Sequence, residues 1–175
     1  MGWFYCLITF NTFFKFFPKL NTSSLVGRIS PPFFGTYTAT KHALEGYSQA
    51  LRYEVSPFGV DIAMVEPGPF GTGLLASGQV PAHSEVLETY GALAGVSSAM
   101  GESFAQMLFS KGAPDPQWVV DSYLKLAETP FGSRPTRTGV GITRRVDEIN
   151  ALTQPIQDSV LKEMQLDSVL GGVSA

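Results

Sequence analysis

Residues 36–69, TYTATKHALEGYSQALRYEVSPFGVDIAMVEPGP, decide the architecture. From Thr36 onward, Ala39, Ala43, Tyr47, Ala50 and Leu51 recur at three-to-four spacing, which predicts a helix with one apolar face. Ser56-Pro57-Phe58-Gly59 supplies proline and glycine stop signals. Val60 to Val65 then reads as a short buried strand, ended by Pro67-Gly68.

On the upstream side, Asn21 to Pro32 reads as a strand end and loop. On the downstream side, Gly71 to about Ser98 is rich in Gly, Ala and Ser and shows no clean period. It reads as a mobile loop with short helical pieces, of the kind that closes over a substrate. Glu102 to Phe109 reads as a short helix. Asp115-Pro116-Gln117 is a helix start, with Asp able to cap and Pro suited to the first position, and that helix runs to about Thr129. Thr138 to Ile142 reads as a strand, followed by a helix from about Arg145 that is interrupted near Pro155. Helices alternating with short buried strands imply an α/β fold with a parallel sheet.

The composition narrows the function classes. A net charge of −3 gives no basic patch, so nucleic acid is not an expected partner. One cysteine, Cys6, excludes an internal disulfide, and two histidines, His42 and His83, make a metal site improbable. The first twenty residues, 1–20, form an atypical aromatic-rich segment. It lacks the early positive charge and the cleavage site of a secretory signal, and its apolar run is too short to span a bilayer. Membrane association is therefore not expected, and a cytoplasmic location is the default.

Ser24, Tyr37 and Lys41 carry the chemistry. Reduction of a carbonyl needs a hydride source, a proton donor for the developing alkoxide and a group that aligns the carbonyl. A tyrosine can give the proton, and a nearby ammonium lowers its high reference pKa of about 10 toward a useful range. Residues four apart share a helix face, so Lys41 can sit beside Tyr37. Its N–H groups can also bind ribose hydroxyls. Ser24, at a neighbouring strand end, can donate a hydrogen bond to the substrate oxygen. Alone, Tyr-x-x-x-Lys is a weak signal that an ordinary exposed neighbour pair also satisfies. Pro67-Gly68 alone says only that a strand ends in a turn.

Taken together, Ser24 upstream of Gly27-Arg28, Tyr37-Thr38-Ala39-Thr40-Lys41-His42-Ala43-Leu44-Glu45-Gly46 and Val65-Glu66-Pro67-Gly68 resemble the catalytic half of the short-chain dehydrogenase/reductase family. The resemblance covers about Asn21 to Leu166. It implies part of a doubly wound Rossmann-type parallel sheet, its C-terminal half, with flanking helices. It also implies a truncated catalytic domain over residues 21–170. The implied activity is interconversion of an alcohol and a ketone on an apolar small molecule with NAD or NADP. Tyr37 would be the acid/base, Lys41 its modulator and a ribose ligand, and Ser24 the carbonyl anchor. Pro67, Gly68, Phe70 and Thr72 would line the nicotinamide, although family members usually carry Val or Ile where Phe70 stands. Homo-oligomers are common in the family, so the resemblance implies one here.

The family's Gly-rich T-G-x-x-x-G-x-G turn, its Asn-Asn-Ala-Gly strand end and its catalytic asparagine have no counterpart in this sequence. Weak independent cofactor binding is therefore expected, because the phosphate cradle at a helix N-terminus normally supplies much of the affinity. The strand ending at Ser24 should be an edge, with Phe4, Phe10, Phe13, Phe14, Phe16 and Phe17 available to cover it. Two further readings stay open: a non-catalytic interaction or dimerisation protein derived from the family, and an incomplete reading of a longer coding sequence. Met100, Met107, Leu108 and Phe109 could line an apolar pocket or belong to ordinary core. Arg144 and Arg145 read as a solvated face, with Asp147 and Glu148 as ion-pair partners.

Overall fold

The computed structural model describes residues 18–74, 77 and 85–166. The expectations placed on the aromatic segment, including Phe4 to Phe17, and on His83 lie outside the described residues. The chain divides into two compact units. One comprises residues 1–68 and 119–175, and the other comprises residues 69–118.

The first unit is built on three parallel strands in the order β1 (Lys19–Thr22), β2 (Ile62–Pro67) and β3 (Arg137–Val140). β2 is central and reads as a continuous apolar run because neighbours cover both of its faces. Ile62, Ala63, Met64 and Val65 are all buried. Lys19 pairs with Ile62 and Thr22 with Val65, while Met64 pairs with Arg137 and Pro67 with Val140. Among the described residues β1 has β2 as its one neighbour, so it is an edge as expected. The α/β reading with a parallel sheet therefore holds.

Helix α1 (Gly35–Val55) starts and stops where the sequence predicts and is followed by a 3-10 turn at Ser56–Phe58. Its buried face is not the predicted one. Ala39, Ala43, Tyr47 and Ala50 are exposed, Tyr47 at 63%. Thr38, Glu45, Ser48, Arg52, Tyr53 and Val55 are buried instead. The reason is polar complementarity. Asn21 Nδ2 donates to Ser48 Oγ at 2.8 Å, Arg137 Nε to Glu45 Oε2 at 2.8 Å, and Arg52 Nη1 to Asp61 Oδ1 at 2.5 Å. Three alanines gain too little from burial to outweigh these bonds. Leu51 does turn inward, packing on Val55, Val60 and Ile62.

Asp61 ties the unit together. It receives Arg52 and, at 3.0 Å, Arg134 Nη1, and all three side chains are buried. Arg52 also donates to the Ile62 and Arg134 carbonyls, and Arg134 Nε to the Leu126 carbonyl. The Asp61 carbonyl accepts from Lys19 N at 2.8 Å, so the same residue anchors the start of the β1–β2 pairing.

Helix α5 (Val146–Glu163) runs without a break through Pro155, against the predicted interruption. Proline removes one backbone donor, but side-chain bonds hold the neighbouring turn. Gln154 donates to Tyr53 Oη at 3.1 Å and to Asp158 Oδ1 at 2.8 Å, and accepts from Arg137 Nη1 at 3.2 Å.

The second unit holds α2 (Glu85–Glu88) and α3 (Ala92–Leu108), and the Asp115 carboxylate caps the start of α4 (Gln117–Glu128) by accepting from Gln117 N at 2.9 Å. The single helix α3 corrects the expected loop to Ser98 and the separate helix from Glu102. Ala94, Ser97, Met100, Phe104, Met107 and Leu108 form its more buried side. That side keeps a helical period, but Ala and Ser at its first positions hide it from a hydrophobicity reading. Among the described residues no helix is long and apolar enough to cross a membrane.

Candidate active site

The site lies at the carboxyl ends of the three strands, where parallel α/β sheets present their ligand-binding loops. Ser24 follows β1. Its backbone is extended, and its Oγ accepts from Val26 N at 3.4 Å, capping the 3-10 turn Leu25–Gly27. The same hydroxyl donates to the Pro67 carbonyl at 3.5 Å, a long bond that joins the ends of β1 and β2.

Tyr37 sits in the first turn of α1 with its side chain 40% exposed. One turn later, Lys41 Nζ lies 5.6 Å from the Tyr37 ring centroid, within range of a cation–π contact. The ammonium donates to the Thr22 carbonyl at 3.0 Å, which fixes it over the end of β1. Burial lowers the Lys41 pKa, and the nearby Glu45 carboxylate opposes the shift. Thr22 Oγ1 also shares a short hydrogen bond with Tyr123 Oη from α4.

Gly68 donates its N–H to the Val140 carbonyl at 2.8 Å, linking the ends of β2 and β3. A Cβ on Gly68 would collide with the Ile142 carbonyl oxygen, so the close approach of these loops requires glycine. The structure thus brings Ser24 to Pro67 and Lys41 to both Tyr37 and the end of β1. Phe70 and Thr72 belong to the second unit. There Phe70 is buried, and the Thr72 hydroxyl accepts from Leu74 N at 3.4 Å.

Of the other candidates, His42 is exposed and its Nδ1 contacts the Thr38 carbonyl at 3.1 Å. Leu108 is buried, Met100 and Met107 are half-buried, and Phe109 is exposed. Arg145 pairs with Glu148 at 2.7 Å on an exposed surface, while Asp147 accepts from Thr143 Oγ1 at 3.0 Å. Among the described residues no cluster of His, Cys, Asp or Glu could hold a metal ion.

Sequence reasoning missed a charged cluster directly behind the site. Glu45, one helical turn beyond Lys41, and Glu66, beside Pro67, are both buried, and Arg137 serves both, at 2.8 and 3.7 Å. Burial raises the Glu66 carboxyl to about 7, with a further push from Glu45, against the Asn150 hydrogen bond and the charges of Arg137 and Arg28. A signal was present, since Glu66 is a charge at the end of an apolar strand run that offered it no partner in sequence.

Residues 20–80 match the short chain dehydrogenase family model. The chain is similar to a probable short-chain type dehydrogenase/reductase of Helicobacter pylori, 57% identical over 49 residues, which are 28% of this chain and 18% of that protein. It is similar also to a 3-ketodihydrosphingosine reductase of Bacteroides thetaiotaomicron, 48% identical over 54 residues, 31% of this chain and 20% of the relative. A solved short-chain dehydrogenase from Streptomyces avermitilis aligns at 28% identity and a TM-score of 0.47, covering 90% of this chain and 52% of that one. The chain thus matches about a fifth of the length of these two curated relatives. Over residues 20–80 the chain is similar to the short-chain dehydrogenase/reductase family.

Proposed function

We propose that this chain carries the acid/base and carbonyl-binding part of an NAD- or NADP-dependent oxidoreductase that interconverts an alcohol and a ketone on an apolar small molecule. The observation that carries the reading is the placement of Lys41, stacked on Tyr37 and tethered to the end of β1. An ammonium has three donors. Thr22 takes one, which leaves two directed donors for ribose hydroxyls, so the residues present fit a nicotinamide nucleotide. When bound, that cofactor supplies or accepts the hydride at the carbonyl carbon.

In the reducing direction Ser24 Oγ–H turns from its long bond to Pro67 and donates to the substrate oxygen. Tyr37 Oη–H gives its proton to that oxygen as the carbon gains hydride, leaving an alcohol and a phenolate. Lys41 stabilises the phenolate until solvent returns a proton. In this reading Pro67, Gly68, Phe70 and Thr72 would be the residues that hold the nicotinamide. The 3-ketodihydrosphingosine reductase among the relatives supports an apolar ketone as the substrate class. Exposed Tyr47, Ala39 and Ala43 on α1 support self-association into a homo-oligomer.

The test is oxidation of NADH and NADPH by the purified chain over a series of aliphatic and aromatic ketones, with Tyr37→Phe and Lys41→Ala alongside. Losing a positioned acid should lower turnover by about 10²–10⁴-fold. Wild-type protein that oxidises neither cofactor with any ketone, or Tyr37→Phe with undiminished turnover, overturns the proposal.

A further inference from the structure

We infer that Glu45 and Glu66 form a buried carboxyl pair that holds a single shared proton, a pH-sensitive element set between α1 and the central strand. The hydrogen-bond inventory leads there. Glu66 is 0% exposed, and its Oε2 accepts from Asn150 Nδ2 at 2.5 Å. Its Oε1 is buried without a hydrogen-bond partner. Glu45 shows the same pattern: Oε2 is taken by Arg137, and Oε1 is buried and unpartnered.

Two arginines face the pair, yet neither donates a hydrogen bond to Glu66, and Arg137 meets it only as a longer ion pair. Arg137 directs Nε to Glu45, Nη1 to Gln154 and Nη2 to Gln49 at 2.9 Å, and stands 3.7 Å from Glu66 Oε1. Arg28, from the turn after β1, directs Nε to Asn150 Oδ1 at 2.9 Å and Nη2 to Thr153 Oγ1 at 2.6 Å. Lys41, one turn from Glu45, is bound to the Thr22 carbonyl. An ionised, fully buried carboxylate with one neutral hydrogen-bond donor and its nearest guanidinium at 3.7 Å is costly. Arg137 draws both carboxylates to one guanidinium, and one proton held by the pair relieves the charge left on the orphan oxygens.

A second observation bears on the Glu45 side of the pair. The Ser23 hydroxyl is buried and unpartnered. A Cβ placed on Gly27 would sit 2.7 Å from that hydroxyl and 3.3 Å from Glu45 Oε1, so both open onto one point against the Gly27 backbone. Two buried carboxylates gathered on one guanidinium do not ionise together readily, and the proton belongs to the pair. The raised Glu66 value of about 7 agrees with this geometry. The pairing holds whether or not Tyr37 performs the chemistry proposed above.

The test is a carbon-13 titration of glutamate side-chain carboxyls in the full chain, in wild type, Glu45→Gln and Glu66→Gln. In wild type one buried carboxyl should titrate near neutrality, and Glu66→Gln should abolish that transition. Removing the like charge in Glu45→Gln should move the Glu66 midpoint to lower pH by about one unit or more. Should either variant fail to fold, the wild-type titration decides alone. All glutamates titrating near the ordinary value of about 4.3 overturns the inference. So does a Glu66 midpoint that Glu45→Gln leaves in place.

Discussion

Replacing Asp61 with asparagine removes one charge and leaves the local shape nearly intact. The charge it removes is the shared counter-ion of two guanidinium groups, Arg52 at 1% and Arg134 at 7% exposure. Burial already lowers the Arg52 pKa, and Asp61 is the main group opposing that shift. Neither arginine loses all of its bonds, because Arg52 keeps the Ile62 and Arg134 carbonyls and Arg134 keeps the Leu126 carbonyl. What is lost is charge compensation in a dry site, and breaking one side of a buried ion pair costs about 3–5 kcal/mol. With a urea dependence of about 2 kcal/mol per molar, the unfolding midpoint should fall by roughly 2 M. Urea titration followed by far-ultraviolet circular dichroism reads this directly. A loss below about 1 kcal/mol would refute the idea that Asp61 holds α1, β2 and the approach to β3 together.

The Glu66 carboxyl sets a pH dependence. Its value rises from 4.5 to about 7 on folding, so the folded chain holds a proton that the unfolded chain releases. That contribution is complete below pH 4.5, declines as pH rises toward 7 and is gone above it. At about 1.4 kcal/mol per unit its upper bound is roughly 3 kcal/mol. Urea midpoints measured from pH 5 to 8 should fall in wild type and flatten in Glu66→Gln; equal slopes would contradict this. Gly68→Ala forces Cβ against the Ile142 carbonyl and should cost about 1–3 kcal/mol in the same unfolding assay. Tyr47→Ser, on an exposed surface, should change stability by less than about 0.5 kcal/mol, while sedimentation velocity should show weaker self-association than in wild type.

The parts of the fold legible in the sequence were those fixed by local chemistry. The extent of α1 follows from its period and from Ser56-Pro57, and β2 from its apolar run. The closeness of Lys41 to Tyr37 follows from four-residue spacing on a helix. The buried face of α1 was not legible, because alanines and a tyrosine with the right period looked like core. The real interior face is polar and finds its partners on β1, β2 and β3. The tether of Lys41 to the Thr22 carbonyl and the Glu45–Glu66–Arg137 cluster arise from residues far apart in sequence, so no local pattern reveals them. Pro155 inside α5 shows the same override, since tertiary bonds through Gln154 hold a helix that the proline alone would interrupt.

Deuteride transfer tests the proposed reaction most directly. The chain is incubated with a ketone and nicotinamide nucleotide carrying deuterium at the transferable position, and the alcohol is examined by mass spectrometry. Deuterium at the new carbinol carbon in wild type, reduced about 10²-fold or more in a folded Tyr37→Phe variant, is the expected result. Absence of label from wild type with both NADH and NADPH, or equal labelling in the variant, would contradict a proton-donating role for Tyr37 beside Lys41.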